Sequence, residues 1–239
     1  MPINKVVASA DDAVADIHDG ATLMISHFGG PGGMPERLIE ALVRRGARNL
    51  TLIGNTAGIS NFGALEGQPY TNVSALIENG QVKKVLASFP APRSPSTPNP
   101  FEKLFRAGKI ELELVPQGTL AERIRAGGAG IGGFYTPTGV GTLVAHGKEE
   151  RTFDGRRYLL ELPLRADFAL VRAYKADAMG NLVYRGTSRS FGAVMATAAE
   201  VTIAEVDEVL PVGQLDPEAI VTPGIYVKRV VVRAKEPKR

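Results

Sequence analysis

Apolar residues recur along this chain with two different spacings, and segments of the two kinds follow each other in turn. Residues 21–25 form a short apolar run typical of a buried strand, whereas residues 36–46 carry apolar side chains every three or four positions, as one face of a helix does. Further strands are predicted at residues 49–55, 82–88, 110–116, 166–177, 180–186, 201–206 and 225–232. This alternation predicts an α/β fold with an open, mostly parallel sheet and helices on both of its faces.

Polar residues and glycines at the ends of these segments predict where helices begin and stop. The predicted caps are Ser9 for a helix that ends before Gly20, Asn99 for residues 99–109, Thr119 for residues 119–127, and Ser188 or Ser190 for residues 188–200. Asp154-Gly155 separates two alternating runs, a pattern that predicts an antiparallel hairpin over residues 151–162. The proline-rich residues 91–100 are interpreted as a surface loop rather than a linker, so one domain over residues 1–239 is expected.

The composition argues against several kinds of chemistry. The chain has no cysteine and only three histidines, which removes thiolate catalysis and cysteine–metal sites and argues against a histidine-rich metal site. No apolar run approaches the length of a membrane-spanning helix, and the N-terminus lacks an export signal, so a cytoplasmic location is expected. The net charge is +3, with much of the excess in residues 228–239. Because Tyr226 is the only aromatic residue nearby, this segment is interpreted as a solubilising tail rather than a nucleic-acid site.

A first glycine-rich segment is a candidate binding loop. Residues 26–35 read SHFGGPGGMP and lie between a predicted strand and a predicted helix, the position where α/β proteins hold phosphates or oxyanions. The alternative is a tight turn between strand and helix that binds nothing. His27 within this segment is either a general base or a residue that contacts a ligand or packs the loop.

A second glycine-rich segment contains GAGIGG at residues 128–133, which matches the spacing G-x-G-x-x-G. A dinucleotide site needs a strand before this motif and a helix that begins inside it, whereas here a helix comes first. We therefore predict no nicotinamide site. The backbone of Gly130, Gly132 and Gly133, followed by Phe134, is instead a candidate surface for an acyl or pantetheine chain or for a partner subunit.

Three other polar residues are candidates for chemistry. Glu78, before Asn79-Gly80, is either a nucleophile or the end of a short helix that Gly80 stops. Asn55 and Gln117 follow predicted strands, where open α/β sheets bind ligands. Their amides can hold a carboxylate or a carbonyl by hydrogen bonds but cannot transfer protons. The alternative for each is a loop amide that pairs with nearby backbone.

Residues 110–142, IELELVPQGTLAERIRAGGAGIGGFYTPTGVGT, closely resemble the A subunit of the family I CoA-transferases, the 3-oxoacid CoA-transferases. Residues 148–186 and VTPGIYVKRVVV at residues 221–232 resemble the same subunit in the same order, so the likeness spans residues 10–232. It implies a single three-layer α/β/α domain and a ping-pong exchange of CoA through a glutamate nucleophile. In the family that glutamate belongs to the B subunit, so Glu78 is rejected as the nucleophile.

The resemblance also implies roles for residues of this chain. Gln117 matches a glutamine that contributes to the oxyanion hole, Asn55 matches an asparagine that helps hold the substrate carboxylate, and Thr56 stands where the family often has a second asparagine. Ser26-His27-Phe28 replaces the usual Gly-Gly-Phe, so the two added side chains are expected to tune acyl preference. The segment implied to bind CoA comprises Ser26, His27, Phe28, Gly29, Gly30, Pro31, Gly32 and Gly33.

The expected assembly is a heterotetramer of two A and two B subunits that moves CoA from an acyl-CoA, such as succinyl-CoA, to a short 3-oxoacid, such as 3-oxoadipate or acetoacetate. No metal or other cofactor is expected, since the CoA thioester is a substrate, and neither nucleic acid nor membrane is expected as a partner. Two alternatives keep the fold and change the function. One is a sugar-phosphate isomerase-like enzyme, which needs converging acidic and lysine residues, and the other is a non-catalytic ligand-binding or regulatory protein.

Overall fold

Seven strands form a parallel sheet at the centre of the computed structural model, which describes residues 3–28, 33–58, 71–91 and 98–233. The strands of the described residues are β1 Thr22–Ile25, β2 Leu50–Thr56, β3 Val82–Phe89, β4 Glu111–Leu114, β5 Phe134–Thr136, β6 Glu150–Phe153, β7 Arg156–Glu161, β8 Ala166–Arg172, β9 Lys175–Asp177, β10 Leu182–Val183, β11 Ala199–Val206, β12 Glu208–Leu210 and β13 Val227–Val232. The α-helices are α1 Ala10–Val14, α2 Glu36–Arg45, α3 Ser74–Glu78, α4 Pro100–Arg106, α5 Gln117–Ala129 and α6 Gly192–Met195. Single 3-10 turns lie at Leu143–Ala145, Gly186–Arg189, Pro217–Ala219 and Gly224–Tyr226.

The order of strands in the large sheet is β13-β11-β8-β1-β2-β3-β4, and neighbouring strands run parallel. From β1 the chain adds strands outward through β4 on one side, and later through β8, β11 and β13 on the other. The space between β1 and β8 is therefore a topological switch point, where open α/β sheets bind ligands at the carboxyl ends of the strands. The predicted α/β fold with its mostly parallel sheet is confirmed.

The predicted hairpin is also confirmed. Strands β6 and β7 pair antiparallel around Asp154 and Gly155, whose φ angles of 47° and 74° are those of a two-residue hairpin turn. Strand β5 joins β7 on its other side, which makes a three-stranded sheet, and β10, β9 and β12 form another.

Two apolar clusters cover the two faces of the large sheet. One cluster packs α1 to α4 against the sheet, through residues such as Leu38 and Leu76, and the other packs α5 and α6, through Ile124 and Met195. Strand β1 contributes to both clusters, because successive side chains of a strand point to opposite faces. Over the described ranges, no helix has the length and apolarity needed to cross a lipid bilayer.

Local signals predicted two caps and two stops correctly. Ser9 Oγ accepts the Asp12 N–H at 3.0 Å, and Asn99 Oδ1 accepts the Glu102 N–H at 2.7 Å. Gly46 ends α2 and Gly80 follows α3, both with positive φ.

Other predicted bounds are wrong. Helix α1 ends at Val14 instead of just before Gly20. Near its end the carbonyl oxygens of Ala13 and Ala15 accept hydrogen bonds from arginine side chains and not from a further helical turn. Helix α5 runs from Gln117 past Gly127 to Gly130, which takes the left-handed cap conformation. Of residues 188–200 only the four residues of α6 are α-helical, since a 3-10 turn ends at Arg189, Ser190 has a positive φ, and β11 begins at Ala199.

Glycines inside α5 have a packing role that the sequence did not indicate. A Cβ on Gly127 would lie 1.9 Å from the carbonyl oxygen of Leu164, and one on Gly128 would lie 2.1 Å from Thr197 Oγ1. Both residues are therefore glycine because the helix touches its neighbours with its backbone. The predicted loop at residues 91–100 and the basic tail lie partly outside the described residues, and the prediction of a single domain stays a prediction.

Candidate active site

The candidate site is built at the carboxyl edge of the large sheet. Ser26 and His27 directly follow β1, Asn55 and Thr56 end β2, and Gln117 begins α5 two residues after Val115, which continues β4. Because these strands are parallel, their carboxyl ends lie along the same edge. The fold therefore brings together residues that are separated by up to about 90 positions in sequence.

Asn55 and Gln117 form a hydrogen-bonded pair of amides. Nε2 of Gln117 donates to Oδ1 of Asn55 at 2.7 Å. Asn55 is buried and Gln117 is exposed at the first turn of α5, where backbone N–H groups carry partial positive charge. Within the described ranges this bond leaves the Nδ2 group of Asn55 and one N–H of Gln117 without a partner. Such donors are suited to stabilise negative charge on a carbonyl oxygen.

His27 is a neutral, buried imidazole. Only 1% of its surface is exposed, and its Nδ1 lies 3.5 Å from Thr56 Oγ1. Burial lowers the pKa of His27 to about 4, so the ring is uncharged at neutral pH. These contacts favour the packing interpretation of His27 over its role as a general base.

Ser26 connects three segments of backbone. Its Oγ donates to the carbonyl oxygen of Gly33 at 2.7 Å and accepts the N–H of Arg172 at 3.0 Å, with no exposed surface. The sequence interpretation placed the side chains of Ser26 and His27 at the acyl group of the substrate. The structure instead turns both of them into the protein, so any effect on acyl preference is indirect.

Phe28 and Gly33 flank the four residues Gly29 to Gly32, which lie outside the described residues. The Phe28 ring is 54% exposed and stacks on Phe191, with centroids 6.1 Å apart. A Cβ on Gly33 would come within 2.7 Å of the carbonyl oxygen of Ser188. Residues 188–191 therefore pack against Phe28 and Gly33 of the predicted CoA-binding segment.

The sequence profile of the coenzyme A transferase family matches residues 7–233, which is nearly the whole chain. The chain belongs to the coenzyme A transferase family. It is 53% identical over 229 residues to the A subunit of the 3-oxoadipate CoA-transferase of Pseudomonas putida, a match that covers 96% of this chain and 94% of that one. It is 47% identical over 237 residues to the A subunit of a probable succinyl-CoA:3-ketoacid coenzyme A transferase of Bacillus subtilis, covering 99% and 93% of the two chains.

Solved coenzyme A transferases have the same architecture. An acyl-CoA transferase from Escherichia coli O157:H7, solved as a thioester complex with CoA, superposes with a TM-score of 0.82 at 25% identity. The match covers 98% of this chain and 48% of that chain, so the present chain spans about half of that enzyme. Glutaconate coenzyme A-transferase from Acidaminococcus fermentans shares the fold, with a TM-score of 0.79 at 21% identity over 95% of this chain and 75% of that one. The predicted resemblance to A subunits is confirmed, and the isomerase and regulatory alternatives are not favoured.

The second glycine-rich segment of this coenzyme A transferase lies far from the amide pair. Gly130 ends α5, and Gln117 begins it, so the two ends of this helix are about 20 Å apart. Gly133 packs against the carbonyl oxygen of Glu161, and Phe134 begins β5 in the small antiparallel sheet. Gly130, Gly132, Gly133 and Phe134 thus do not join the candidate site within this chain, and a partner-subunit contact for them stays a prediction.

Two other features lie at the opposite, amino edge of the sheet. Glu78 is exposed at the end of α3, directly before β3, which agrees with its rejection as the nucleophile. A cavity of about 560 Å³ opens beside the first residues of β1, β8 and β11, and of the sequence-predicted site residues it touches Gly130 alone. The chemistry of the site therefore concentrates at the carboxyl edge.

Sequence reasoning missed one buried charged residue of this edge. Glu205 near the end of β11 has no exposed surface, and Arg172 at the end of β8 lies beside it. The available signal was the single carboxylate in the otherwise apolar run VTIAEV. An acidic residue in a buried strand is rare unless it is paired, so this glutamate could have been singled out from the sequence.

Proposed function

We propose that this chain is the A subunit of a heteromeric 3-oxoacid CoA-transferase, acting in the cytoplasm with a separate B subunit. The observation that carries the proposal is the amide pair of Asn55 and Gln117 at the carboxyl edge, beside the first turn of α5. This pair offers hydrogen-bond donors for an oxyanion but has no nucleophile of its own. An A subunit needs such a site if its partner brings the reacting glutamate.

The steps of the proposed reaction divide between the two polypeptides. A glutamate carboxylate of the B subunit attacks the thioester carbonyl and forms a C–O bond. The C–S bond breaks, which releases CoA as a thiolate and leaves an acyl anhydride between the acyl group and the glutamate. The thiolate then attacks the glutamyl carbonyl of the anhydride, which releases the first carboxylate and leaves a glutamyl-CoA thioester. The acceptor acid reverses these two steps. Gln117 donates to the carbonyl oxygen as its negative charge develops, and Asn55 holds the Gln117 amide in place.

The acceptor that we propose is 3-oxoadipate, with succinyl-CoA as donor. Two relatives that are 53% and 51% identical to this chain are named as A subunits of 3-oxoadipate CoA-transferases. Relatives named for succinyl-CoA:3-ketoacid transfer are 42–47% identical, so acetoacetate is the competing acceptor. We propose that no metal or organic cofactor takes part, since CoA itself is the group that moves.

The surface that we propose for the B subunit surrounds the amide pair. Three large apolar side chains at the carboxyl ends of strands are about half exposed: Phe28 at 54%, Phe89 at 52% and Leu114 at 52%. Exposed apolar side chains close to an incomplete site are typical of a surface that a partner covers. Two such A–B pairs would make the heterotetramer expected from the resemblance.

The proposed function is tested by comparing the chain alone with the complex. The present chain is purified by itself and with its B partner, and each sample is mixed with succinyl-CoA and either 3-oxoadipate or acetoacetate. We expect transfer by the complex only, and mass spectrometry of the B subunit is expected to find a glutamyl-CoA thioester. Transfer by the present chain without its partner, or an inactive intact complex with both acids, would show that the proposal is wrong.

A further inference from the structure

Helix α2 is capped by a carboxylate from a distant strand. Pro35 occupies the N-cap position and offers no side-chain hydrogen bond. Instead, Oε2 of Glu205 accepts the backbone N–H groups of Arg37 at 2.8 Å and Leu38 at 3.1 Å. These amides belong to the first turn, where a helix has no internal acceptor for them. The start of α2 is therefore fixed to the end of β11.

Arg172 and Ser26 extend this connection to both ends of the predicted CoA-binding segment. The Arg172 Nε lies 3.8 Å from Oε1 of Glu205, and its side chain also donates to the carbonyl oxygen of Glu205. The backbone N–H of Arg172 donates to Ser26 Oγ, which in turn donates to the carbonyl of Gly33. Contacts thus run from α2 through Glu205 and Arg172 to Ser26, the first residue of the segment, and from Ser26 to Gly33, its last residue.

Capping α2 with Glu205 has an energetic cost, because it removes a carboxylate from water. Glu205 has no exposed surface, and its Oε1 accepts no hydrogen bond from the described residues. Burial raises the pKa of Glu205 to about 7, although Arg172 and Arg233 act in the opposite direction. A serine at the N-cap could accept one of these N–H groups without burying a charge. Helix stability alone therefore does not explain the carboxylate.

We propose that Glu205 is a positioning residue for CoA transfer. It holds the first turn of α2 and, with Arg172 and Ser26, the two ends of the CoA-binding segment in register with Asn55 and Gln117. The inference rests on the proposed function. Glu205 acts through the backbone of α2 and through Arg172, and does not itself touch the reacting atoms. Three elements surround the Glu205 carboxylate. Arg172 lies beside it at the end of β8, and β13 contributes Val231 and, directly after the strand, Arg233. Helix α2 contributes Glu36, which pairs with Arg233, and Arg37.

The test uses the assembled A–B complex and four forms of the present chain: the wild type, Glu205→Ala, Glu205→Gln and Glu161→Gln. Glutamine keeps an oxygen that can accept both N–H groups of α2, whereas alanine keeps none. Glu161 is the matched control, because it is also buried, at 1% exposure, and ion-paired but lies in the small sheet, beside Lys148 and Arg123. For each complex, kcat, KM for succinyl-CoA, the unfolding temperature and the hydrogen exchange of the Arg37 and Leu38 amides are measured.

We expect Glu205→Ala to lower kcat/KM by about tenfold to a hundredfold at a temperature where the complex is folded, since displacements near 1 Å have effects of that size. Exchange at Arg37 and Leu38 should accelerate in the same variant. Glu205→Gln should restore most of both properties. Glu161→Gln should lower the unfolding temperature and leave kcat/KM unchanged. If Glu205→Ala does not assemble, Glu205→Asp replaces it, because its shorter side chain keeps the charge and withdraws the oxygen from α2.

The proposal is wrong if the folded Glu205→Ala complex keeps wild-type kcat/KM and only unfolds at a lower temperature. It is also wrong if Glu161→Gln lowers kcat/KM as much, since the effect would then follow from any lost buried carboxylate. An inactive wild-type complex would instead contradict the proposed function. The exchange measurement needs no activity, and unchanged protection of Arg37 and Leu38 in Glu205→Ala would still disprove the role of these hydrogen bonds.

Discussion

The imidazole of His27 lies against the backbone of Gly54, so closely that a Cβ on residue 54 would come within 2.6 Å of Nε2. Real Cβ atoms do not approach a heavy atom so closely, and both residues are buried. The histidine of this chain therefore depends on the absence of a side chain on the neighbouring strand.

We predict that Gly54→Ala destabilises the protein by about 1–3 kcal/mol, because the added methyl group forces His27 out of its position. In the background of His27→Gly the same substitution should have a much smaller effect. The double-mutant cycle is measured by urea unfolding of the four forms, and we expect a coupling free energy of about 0.5–3 kcal/mol. Additive effects of the two substitutions would mean that the Gly54 backbone and the imidazole do not constrain each other.

The titrations of His27 and Glu205 should change the free energy of unfolding with pH in opposite directions. Burial lowers the pKa of His27 to about 4, below its ordinary 6.5, so between these values the unfolded chain binds a proton that the folded chain does not. His27 therefore lowers stability as pH falls through that range. Burial raises the pKa of Glu205 from 4.5 to about 7, so there the folded chain binds the extra proton, and Glu205 lowers stability as pH rises.

The free energy of unfolding of the wild type, His27→Gln and Glu205→Gln is compared at pH values between 4.5 and 7. Relative to the wild type, His27→Gln should gain stability as pH falls, and Glu205→Gln should gain stability as pH rises. One titrating proton contributes at most about 1.4 kcal/mol per pH unit. Parallel pH profiles for all three proteins would show that neither group has a shifted pKa in the folded state.

Gln117→Ala should slow turnover of the complex by about a hundredfold to a thousandfold, the usual effect of removing one oxyanion-hole donor. Asn55→Ala should act partly through Gln117, since the two amides are bonded at 2.7 Å, so the double variant should lose less than the product of the single effects. Gln214→Ala, an exposed glutamine after β12, is the matched control. A kcat for Gln117→Ala within a few-fold of the control, in an intact complex, would contradict the role given to this residue.

The features predicted correctly from the sequence are those that residues close together in the chain determine. The caps at Ser9 and Asn99, the hairpin at Asp154-Gly155 and the parallel sheet follow from spacing and turn chemistry. Asn55 and Gln117 were predicted as site residues because strand ends mark binding edges, and their roles stay a prediction. Contacts between distant residues gave no such signal. Glu205 caps a helix 167 positions earlier in the chain, and Gly127 is glycine because of Leu164, so their roles needed the fold. The helix predicted at residues 188–200 was too long, because a 3-10 turn occupies residues 186–189 and β11 begins at residue 199.

Ser190 is the residue of the described chain in which backbone strain and a buried hydroxyl coincide. Its φ of 39° and ψ of −132° belong to a region that glycine enters easily and residues with a Cβ avoid. Its Oγ is buried without a hydrogen-bond partner, and the next residue, Phe191, stacks on Phe28 beside the predicted CoA-binding segment. The surrounding packing therefore imposes this conformation on Ser190.

We predict that Ser190→Gly stabilises the protein by about 1 kcal/mol, because relief of the strain exceeds the added flexibility of the unfolded chain. Ser190→Ala is the matched control, since it removes the unpaired hydroxyl and keeps the strained Cβ. Urea unfolding of the three forms separates the two contributions. If alanine stabilises as much as glycine, the buried hydroxyl and not the backbone is the unfavourable feature. If glycine instead destabilises and kcat/KM for succinyl-CoA falls with it, the strained conformation is needed to hold Phe191 against Phe28.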